Sequence, residues 1–421
     1  MVQKFVLSPL KKFWNRLGPG FITGSSDDDP SGVGTYSASG VQFGYSQLWI
    51  AWFTVPLMIA VQEMSARIGL VTGRGIVAAL KHRIPRWLLI IPVAMLLFAN
   101  SINIGTDIGA MADASRILFP HASFVWLTIL FTIVCVLLQI FVEYKSYVKY
   151  LKWLTLSLFA YIAVAFYVHI NWSEVLYTTL IPTFAATRDT MLMITAILGT
   201  TISPYLMFWQ ASEEVEEKIV AGKITIAARR ELSLNTIRDM RFDISFGMIF
   251  SNVVMFFIIA TTAAELFGSG AHIDTAADAA RVLEPLAGAG AGLLFTLGII
   301  GTGLLAIPVL AGAGSYAVAE LLGWRSGLYR KWHEAVGFYG IIALSTVMGL
   351  CVNFIGIPPM RALVWTAVIN GFVAPFSILL LLIAANDKRV MGRHVNGAWS
   401  NIGGIVSLFI MVGAIVMYFV L

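Results

Sequence analysis

Stretches of about 20 predominantly apolar residues alternate with shorter polar connections along the whole chain. About 20 apolar residues in a helix cross the hydrocarbon core of a bilayer, so each stretch predicts a membrane span. Eleven spans are predicted, near residues 18–42, 46–70, 87–112, 123–142, 147–169, 190–212, 243–266, 291–322, 335–355, 361–385 and 401–420. The pattern therefore predicts an all-α integral membrane protein.

The composition excludes an ordinary soluble domain. Of the 421 residues 58% are hydrophobic and only 12% are charged, and the mean hydropathy is +0.82, which leaves too little charge to cover a soluble surface. The two cysteines, Cys135 and Cys351, lie far apart in apolar stretches and have neither disulfide nor metal-site spacing. No catalytic motif and no soluble domain that could hold one is evident, so we expect neither an enzyme nor a cofactor.

The positive charges indicate the orientation. With a cytoplasmic N-terminus, all but four of the 28 Lys and Arg residues fall in inner loops; the exceptions are Arg116, Arg188, Arg281 and Arg361. This asymmetry predicts an N-terminus inside and a C-terminus outside. The net charge of +5 is then a topology signal, and we expect no nucleic-acid partner. The outer loops are mildly acidic, which fits either attraction of cations or ordinary solvated charge.

Two spans carry sequences that break helices. The first contains Asp27-Asp28-Asp29-Pro30-Ser31-Gly32 at its middle, and the sixth contains Gly199 to Tyr205, with Pro204. Proline removes a backbone donor and clashes with the preceding turn, and unwound backbone at membrane depth must face protein or a wet cavity. The breaks lie five helices apart, as two inverted repeats would place them. The pattern predicts a transporter of two inverted halves plus an eleventh helix.

Prolines alone would be explained by simple kinks, but three adjacent aspartates would not. Each central Asp costs about 2.5–3.5 kcal/mol on insertion scales, so such residues persist mostly where they function. Neighbouring side chains diverge, so one or two can meet a substrate while another caps a half-helix. Carboxylates, freed carbonyls and hydroxyls form an all-oxygen environment, which suits a hard divalent cation.

The motifs "GPGF...DDDPSG...GVQFGYSQLW...VQEMSARIGLVTGRG", "GTTISPYLMFWQAS" and "APF" (residues 374–376) occur in this order. Through these motifs the chain resembles the Nramp family of divalent metal transporters (natural resistance-associated macrophage proteins). The resemblance extends over nearly the whole length of the chain. Asp29-Pro30-Ser31-Gly32 stands where the family usually has Asp-Pro-Gly-Asn. The resemblance implies a LeuT-like fold, alternating access, and a metal bound between broken helices 1 and 6.

The resemblance also implies site residues. Asp29 matches the metal-binding aspartate, and Ser26 and Thr200 match positions that offer backbone carbonyls. Asp28 is included among the candidate metal-site residues, although the sequence leaves open whether Asp27 or Asp28 assists Asp29 in binding the metal. Gly32 replaces the ligand asparagine, and Ser203 replaces the methionine whose thioether favours softer metals. The chain is in this respect similar to the Nramp-related magnesium transporters, and small flanking residues suit a partly hydrated Mg²⁺.

Proton coupling is less expected than in a standard family member. Tyr205 stands where the family has a histidine, and a phenol with an ordinary pKa near 10 carries protons poorly at neutral pH. Asn103 and Thr106 occupy positions of the third helix where the family usually has acidic residues, and Asp107 substitutes only if the alignment slips. Gradient-driven uptake is the alternative.

Other polar residues at membrane depth have simpler interpretations. Glu63 pairs with Arg67 at i, i+4 more readily than it takes part in transport. Asn252 and Asn370 are explained by interhelical hydrogen bonds, with gating as a minor possibility for Asn252. The acidic run 213–218 precedes a basic run, which predicts either a solvated loop helix or a cytoplasmic ion-pair network at an inner gate.

The sequence thus predicts one membrane transport domain, residues 1–421. Its parts are a cytoplasmic N-terminus (1–16), a first repeat of helices 1–5 (17–169), a second repeat of helices 6–10 (187–385) and helix 11 (401–420). We expect a monomer in a bacterial plasma membrane that imports a divalent cation, Mg²⁺ or Mn²⁺, as substrate. The alternatives are a sensor that has lost transport and a carrier of organic solutes on the same scaffold.

Overall fold

The computed structural model describes residues 17–142, 159–182, 185–270 and 273–421, except for the side chains of Leu234, Pro285 and Ala289. The predicted cytoplasmic N-terminus (1–16) and most of the predicted fifth span (147–169) lie outside these ranges. In the described part of the chain all regular secondary structure is helical.

Twelve longer helices are numbered here in chain order. They are α1 (Pro19–Asp27), α2 (Pro30–Phe43), α3 (Trp49–Thr72), α4 (Arg86–Leu118), α5 (Phe124–Phe141), α6 (Arg188–Thr201), α7 (Pro204–Val220), α8 (Leu234–Leu266), α9 (Ala291–Leu322), α10 (Val336–Val352), α11 (Pro359–Asn386) and α12 (Ala398–Val420). Further helices outside this numbering, none with more than nine residues, cover Ile76–Leu80, Phe159–Val164, Trp172–Leu180, Ile226–Arg229, Ala276–Ala280, Glu284–Ala287 and Lys388–Met391.

The helix lengths agree with an integral membrane protein. Eight helical segments of the described residues, α6 and α7 together counting as one, are long and apolar enough to cross a bilayer. The first predicted span falls into the two shorter helices α1 and α2, and α10 has 17 residues. Each of these elements lies where the apolar pattern predicts a span.

Three helices extend beyond their predicted spans by more than one turn. The predicted limits 87–112, 190–212 and 243–266 are wrong at one end, because α4 continues to Leu118, α7 continues to Val220 and α8 begins at Leu234. Polar side chains support the extensions of α4 and α8. Ser233 accepts a hydrogen bond from the Thr236 N–H and caps α8. Asp113 accepts one from the N–H of Ala276, the first residue of the short helix Ala276–Ala280 between α8 and α9. A hydropathy window underestimates the length of a helix whose end is polar.

The helices pack in two groups. In the first, α8 packs against α1, α2 and α3, and α7 packs against α3; in the second, α4 packs against α5, α9 and α10. Helix α11 contacts both groups, through α2 and α4. Glycines allow the closest approach, because a Cβ on Gly24 would lie only 2.3 Å from the carbonyl oxygen of Gly247 in α8. The broken helices α1 and α2 are thereby fixed against α8.

Polar groups near one end of α3 and α7 are buried and paired. The predicted Glu63–Arg67 ion pair is confirmed, and Arg241 also binds Glu63, with Nε 2.7 Å from Oε1. The interpretation of residues 213–218 as a solvated loop helix is wrong. Glu214, for example, is buried within α7 and accepts a hydrogen bond from Gln210 at 3.0 Å.

Candidate metal site

Both broken helices are interrupted in the same way. Helix α1 ends at Asp27; Asp28 follows with φ −85° and ψ 46°, and Asp29 is extended at φ −67° and ψ 172°. Helix α6 ends at Thr201; Ile202 follows with φ −106° and ψ 49°, and Ser203 is extended at φ −65° and ψ 135°. A proline then begins the next helix in each case. Asp29 and Ser203 are therefore equivalent positions.

The two breaks are narrower than predicted. Gly199 and Thr200 are still helical, and Pro30, Ser31 and Gly32 already belong to the first turn of α2. Proline at the first helical position loses no intrahelical hydrogen bond and presets the helical φ. For this reason the prolines start the second half-helices instead of lying inside the unwound backbone.

Asp29 caps α2 and faces α4. Its Oδ1 accepts hydrogen bonds from the Gly32 N–H and the Ser31 hydroxyl, both at 2.7 Å. Its Oδ2 accepts one from Asn103 Nδ2 at 2.9 Å. The side chain is buried, with an exposed fraction of 1%. A carboxylate held by several donors is fixed in place. Both lone pairs of Oδ1 are used by its two donors, while Oδ2 accepts one hydrogen bond and keeps a further lone pair for a cation.

A polar layer continues from Asp29 into α4 and α11. Asn103 Nδ2 also lies 3.3 Å from Asp107 Oδ2, and Asn370 Nδ2 lies 3.3 Å from Asn103 Oδ1. Within the described residues, Asp107 Oδ1 and Asn370 Oδ1 are buried and accept no hydrogen bond. Thr106 points to α11, where its hydroxyl lies 3.2 Å from that of Thr366. Buried oxygens without donors attract a cation or water.

Asp27 and Asp28 face α8 and are directed away from this layer. The Ser251 hydroxyl lies 2.6 Å from Asp27 Oδ2 and 3.3 Å from Asp28 Oδ1. Both side chains have exposed fractions of 0%. One hydroxyl carries one hydrogen, so it cannot donate to both carboxylates at once. The three aspartates therefore diverge, as the sequence predicts, and Asp27 and Asp28 share one partner.

Residues of the sixth span, in α6 and at its break, contact the first turn of α2. A Cβ on Gly32 would lie 3.3 Å from Thr200 Oγ1 and 3.0 Å from the Asp27 carbonyl oxygen, so α2 and α6 meet at Gly32. The Ser203 hydroxyl lies 2.5 Å from the Thr200 carbonyl oxygen and 2.8 Å from that of Gly199. The Ser203 hydroxyl therefore donates to carbonyl oxygens at the C-terminal end of α6, and Ser203 makes no side-chain cap for α7.

Tyr205 joins the two broken helices directly. Its hydroxyl donates a hydrogen bond to the carbonyl oxygen of Ser26 at 3.0 Å, and its exposed fraction is 1%. Ser26 and Thr200 were both predicted to offer backbone carbonyls. In this closed arrangement each carbonyl accepts a hydroxyl of the protein, so a metal would use the second lone pair or displace that hydroxyl.

The electrostatics of the two breaks favour a cation. The C-terminal ends of α1 and α6 carry partial negative charge, and both terminate at the breaks beside buried carboxylates. The Asp29 carboxylate also offsets the positive N-terminal end of α2. Within the described residues, no three His, Cys, Asp or Glu side chains form a metal-binding group. Carboxylate, hydroxyl and carbonyl oxygens would therefore have to hold a metal together with its own water.

One predicted gating residue lies elsewhere. Asn252 accepts a hydrogen bond from Thr54 at 2.8 Å and donates one to the Met248 carbonyl at 2.8 Å, so it connects α3 and α8. The sequence analysis did not place Ser251 or Asn370 in the site. Ser251 directly precedes the polar Asn252, and Asn370 is a single polar residue in an apolar span. The hydrophobic pattern alone does not say which helix face meets the breaks.

Polar contacts between helices close the molecule at the end where the acidic residues 213–218 lie. The Thr23 hydroxyl donates to Gln210 Oε1 at 2.6 Å, which joins α1 to α7. At the other end, a cavity of about 290 Å³ opens between α2, α6 and α11, and its lining includes Asp189, Asp274 and Arg361. Arg361 and Asp274 form an ion pair there, with Nε 2.5 Å from Oδ1. The buried aspartates are closed off from both faces.

The sequence of the chain matches a known family. The family described as natural resistance-associated macrophage protein-like matches residues 20–421. The chain belongs to this family. The resemblance drawn from the sequence motifs is thus confirmed over nearly the whole length of the chain.

Curated relatives in the Nramp family cover the chain almost completely. A protein of Caldanaerobacter subterraneus subsp. tengcongensis named divalent metal cation transporter MntH is 26% identical over 415 residues, which are 96% of this chain and 92% of the relative. A protein of the same name from Mycobacterium tuberculosis is 26% identical over 417 residues, covering 95% of this chain and 90% of the relative.

Solved structures agree on the fold. The manganese transporter of Eremococcus coleocola has a TM-score of 0.73 at 19% identity, covering 96% of this chain and 86% of that one. Mhp1, a nucleobase-cation-symport-1 family transporter, has a TM-score of 0.56 at 14% identity, covering 96% and 92%. The predicted LeuT-like, all-α membrane fold with broken first and sixth spans is confirmed.

Proposed function

We propose that this Nramp-family chain imports a divalent metal cation by alternating access around Asp29. One observation carries the proposal: a buried carboxylate sits at a helix break in mid-span, opposite a second break, and two helix C-terminal ends converge there. Buried charge of this kind costs several kcal/mol and is found mostly where it binds something. The relatives named divalent metal cation transporter support the same substrate class.

Among divalent ions we propose Mg²⁺ first and Mn²⁺ second. Asp29 is surrounded by the hydroxyl of Ser31, the amide of Asn103 and the N–H of Gly32, and Ser203 stands at the equivalent position of the second break. A methionine thioether there would favour softer metals. Mg²⁺ instead prefers oxygen and keeps several waters. The carbonyl oxygens of Ser26 and Thr200, which lie near the C-terminal ends of α1 and α6, would accept hydrogen bonds from those waters.

We propose that uptake follows the ion gradient without obligatory proton symport. The Tyr205 hydroxyl donates its hydrogen bond to the Ser26 carbonyl, and the Asn103 amide cannot release a proton at neutral pH. Neither side chain therefore carries protons. Asp107 in α4 belongs to the polar layer beside Asp29, so protons would have to pass through it if uptake depended on a pH gradient.

The arrangement we propose is one transport domain, with repeats 17–169 and 187–385, helix 401–420, and the N-terminus on the cytoplasmic side of a bacterial plasma membrane.

The deciding experiment compares Asp29→Asn with Asp29→Ala in proteoliposomes. Uptake of Mg²⁺, Mn²⁺ and Ca²⁺ is followed with an ion-sensitive dye, with and without a pH gradient. Asparagine caps helices about as well as aspartate, whereas alanine loses about 1 kcal/mol. Asp29→Asn should therefore fold like the parent and still lose uptake, which separates metal binding from capping.

The outcomes discriminate between the candidate functions. Parent-like uptake by Asp29→Asn would remove Asp29 as a ligand. A parent protein that takes up none of the three ions would favour the sensor or the organic-solute carrier. Uptake that stops when the pH gradient is removed would contradict the proposed lack of proton coupling.

A further inference from the structure

A second polar cavity lies at the end of the molecule that carries most basic residues. Its volume is about 500 Å³, and it lies between the ends of α3, α7 and α9, the helix Ile226–Arg229 and the loop after α9. Its lining includes six basic side chains: Arg74, Lys81, His82, Arg229, Arg325 and Arg330. Inner loops of membrane proteins are generally basic, but here the charges converge on one cavity.

Two acidic side chains in the same lining, Glu216 and Glu320, offset only part of this charge, because five of the lining side chains are arginine or lysine. Glu216 Oε1 accepts hydrogen bonds from the Tyr316 hydroxyl at 2.5 Å and the Leu328 N–H at 2.8 Å. Glu320 Oε2 accepts one from the Ala78 N–H at 3.0 Å. Both carboxylates thus hold the walls of the cavity together. Within the described ranges, no ion pair joins the arginine and lysine side chains of the lining to a carboxylate.

Arg229 is held at the cavity with unused hydrogen-bonding capacity. It donates to the carbonyl oxygens of Gly73 and Ile224, each at 3.0 Å, while its buried Nε has no partner among the described residues. Burial lowers the pKa of Arg229, and the charges of Arg74 and Arg330 lower it further, while Tyr329 acts in the opposite direction. Like charges close enough to disturb one another would be stabilised by an anion between them.

We propose that this cavity binds a phosphorylated anion of up to nucleotide size. Arginine forks match phosphate oxygens bidentately, and about 500 Å³ is within the usual range for small-molecule sites. The lining comes from α7 of the first helix group, from α9 of the second, and from the segments that follow α3 and α9. A bound phosphate group would therefore add contacts where α7 and α9 already pack together. The same chemistry is offered by a soluble phosphate compound and by an anionic lipid headgroup.

The test uses the full chain purified in detergent, with inorganic pyrophosphate and ADP as probes in isothermal titration calorimetry. The double variant Arg325→Gln/Arg330→Gln removes two half-buried or exposed charges of the lining, so it should fold. The matched control, Arg389→Gln/Arg393→Gln, removes two cytoplasmic charges outside the cavity. Pyrophosphate should bind the parent and the control alike, and the double variant at least tenfold more weakly.

A parallel arm identifies the source of the phosphate. Thermal unfolding is compared in nanodiscs of phosphatidylglycerol and of phosphatidylcholine. Stabilisation by phosphatidylglycerol that is lost only in the Arg325/Arg330 variant, without pyrophosphate binding, supports the site with a lipid headgroup as its ligand. The proposal is overturned if neither probe nor lipid has an effect, or if both double variants reduce it equally. Either result leaves the proposed cation transport untouched, because Asp29 is not involved.

Discussion

The carboxylate of Asp243 in α8 accepts a hydrogen bond from the main-chain N–H of Gly20 at 2.7 Å. The same carboxylate accepts hydrogen bonds from Gly18 N–H at 2.8 Å and Phe21 N–H at 3.1 Å. The first N–H groups of a helix have no partner within it and carry partial positive charge. Asp243 therefore caps α1 from a neighbouring helix and fixes the start of this broken helix against α8. Under the proposed alternating access, this attachment would hold the site closed on this side.

Asp243→Asn should weaken this attachment. An amide offers one acceptor oxygen and no charge, so we expect a loss of about 1 kcal/mol and a more open end of α1. The measurement is the rate at which a cysteine introduced as Ser25→Cys reacts with a charged thiol reagent, after Cys135 and Cys351 have been replaced by serine. Asp387→Asn, which alters the cap of the short helix Lys388–Met391, is the control. Equal reaction rates in both variants would mean that the hydrogen bonds of Asp243 do not hold α1 closed.

Ser251→Ala tests the shared hydroxyl beside Asp27 and Asp28. The change leaves Asp27 Oδ2 buried without its donor at 2.6 Å, and an unsatisfied buried polar group costs about 1–3 kcal/mol, more when it is charged. We expect a lower unfolding temperature for Ser251→Ala and a near-parent value for Ser251→Thr, which keeps the hydroxyl. If the two variants unfold at the same temperature, the hydrogen bond contributes nothing.

Gly24 and Gly247 make the closest crossing between α1 and α8. A Cβ on Gly24 would lie 2.3 Å from the Gly247 carbonyl oxygen, and the nearest atoms are all backbone. Overpacking against backbone cannot be relieved by a rotamer change, and it typically costs 1–3 kcal/mol or more. Gly24→Ala should therefore reduce the yield of monodisperse protein in size-exclusion chromatography. Gly413→Ala, where nothing lies within 4 Å of the added Cβ, should not.

Much of the fold was readable from the sequence for physical reasons. Apolar length and proline position locate the spans and both breaks, because lipid tolerates no other arrangement of backbone polar groups. Charge at membrane depth indicated a function for the three aspartates together, and the resemblance to the Nramp family singled out Asp29. What the sequence did not give is which helix each polar side chain faces. Asp27 and Asp28 contact Ser251 instead of joining Asp29, and the relative rotation of packed helices decides this.

The equivalence of Asp29 and Ser203 leads to the last prediction. Ser203 occupies the extended position before Pro204, as Asp29 does before Pro30, and its hydroxyl lies 2.5 Å from the Thr200 carbonyl oxygen. Ser203→Met would place a thioether at this break and free that carbonyl. A soft sulfur ligand should shift uptake from Mg²⁺ toward Mn²⁺ and Cd²⁺. Competition between these ions in proteoliposome uptake is the measurement. Ser203→Leu matches methionine in bulk without sulfur, so it should reduce uptake of all three ions without changing their order. An identical selectivity order in both variants would mean that this position does not select metals by softness.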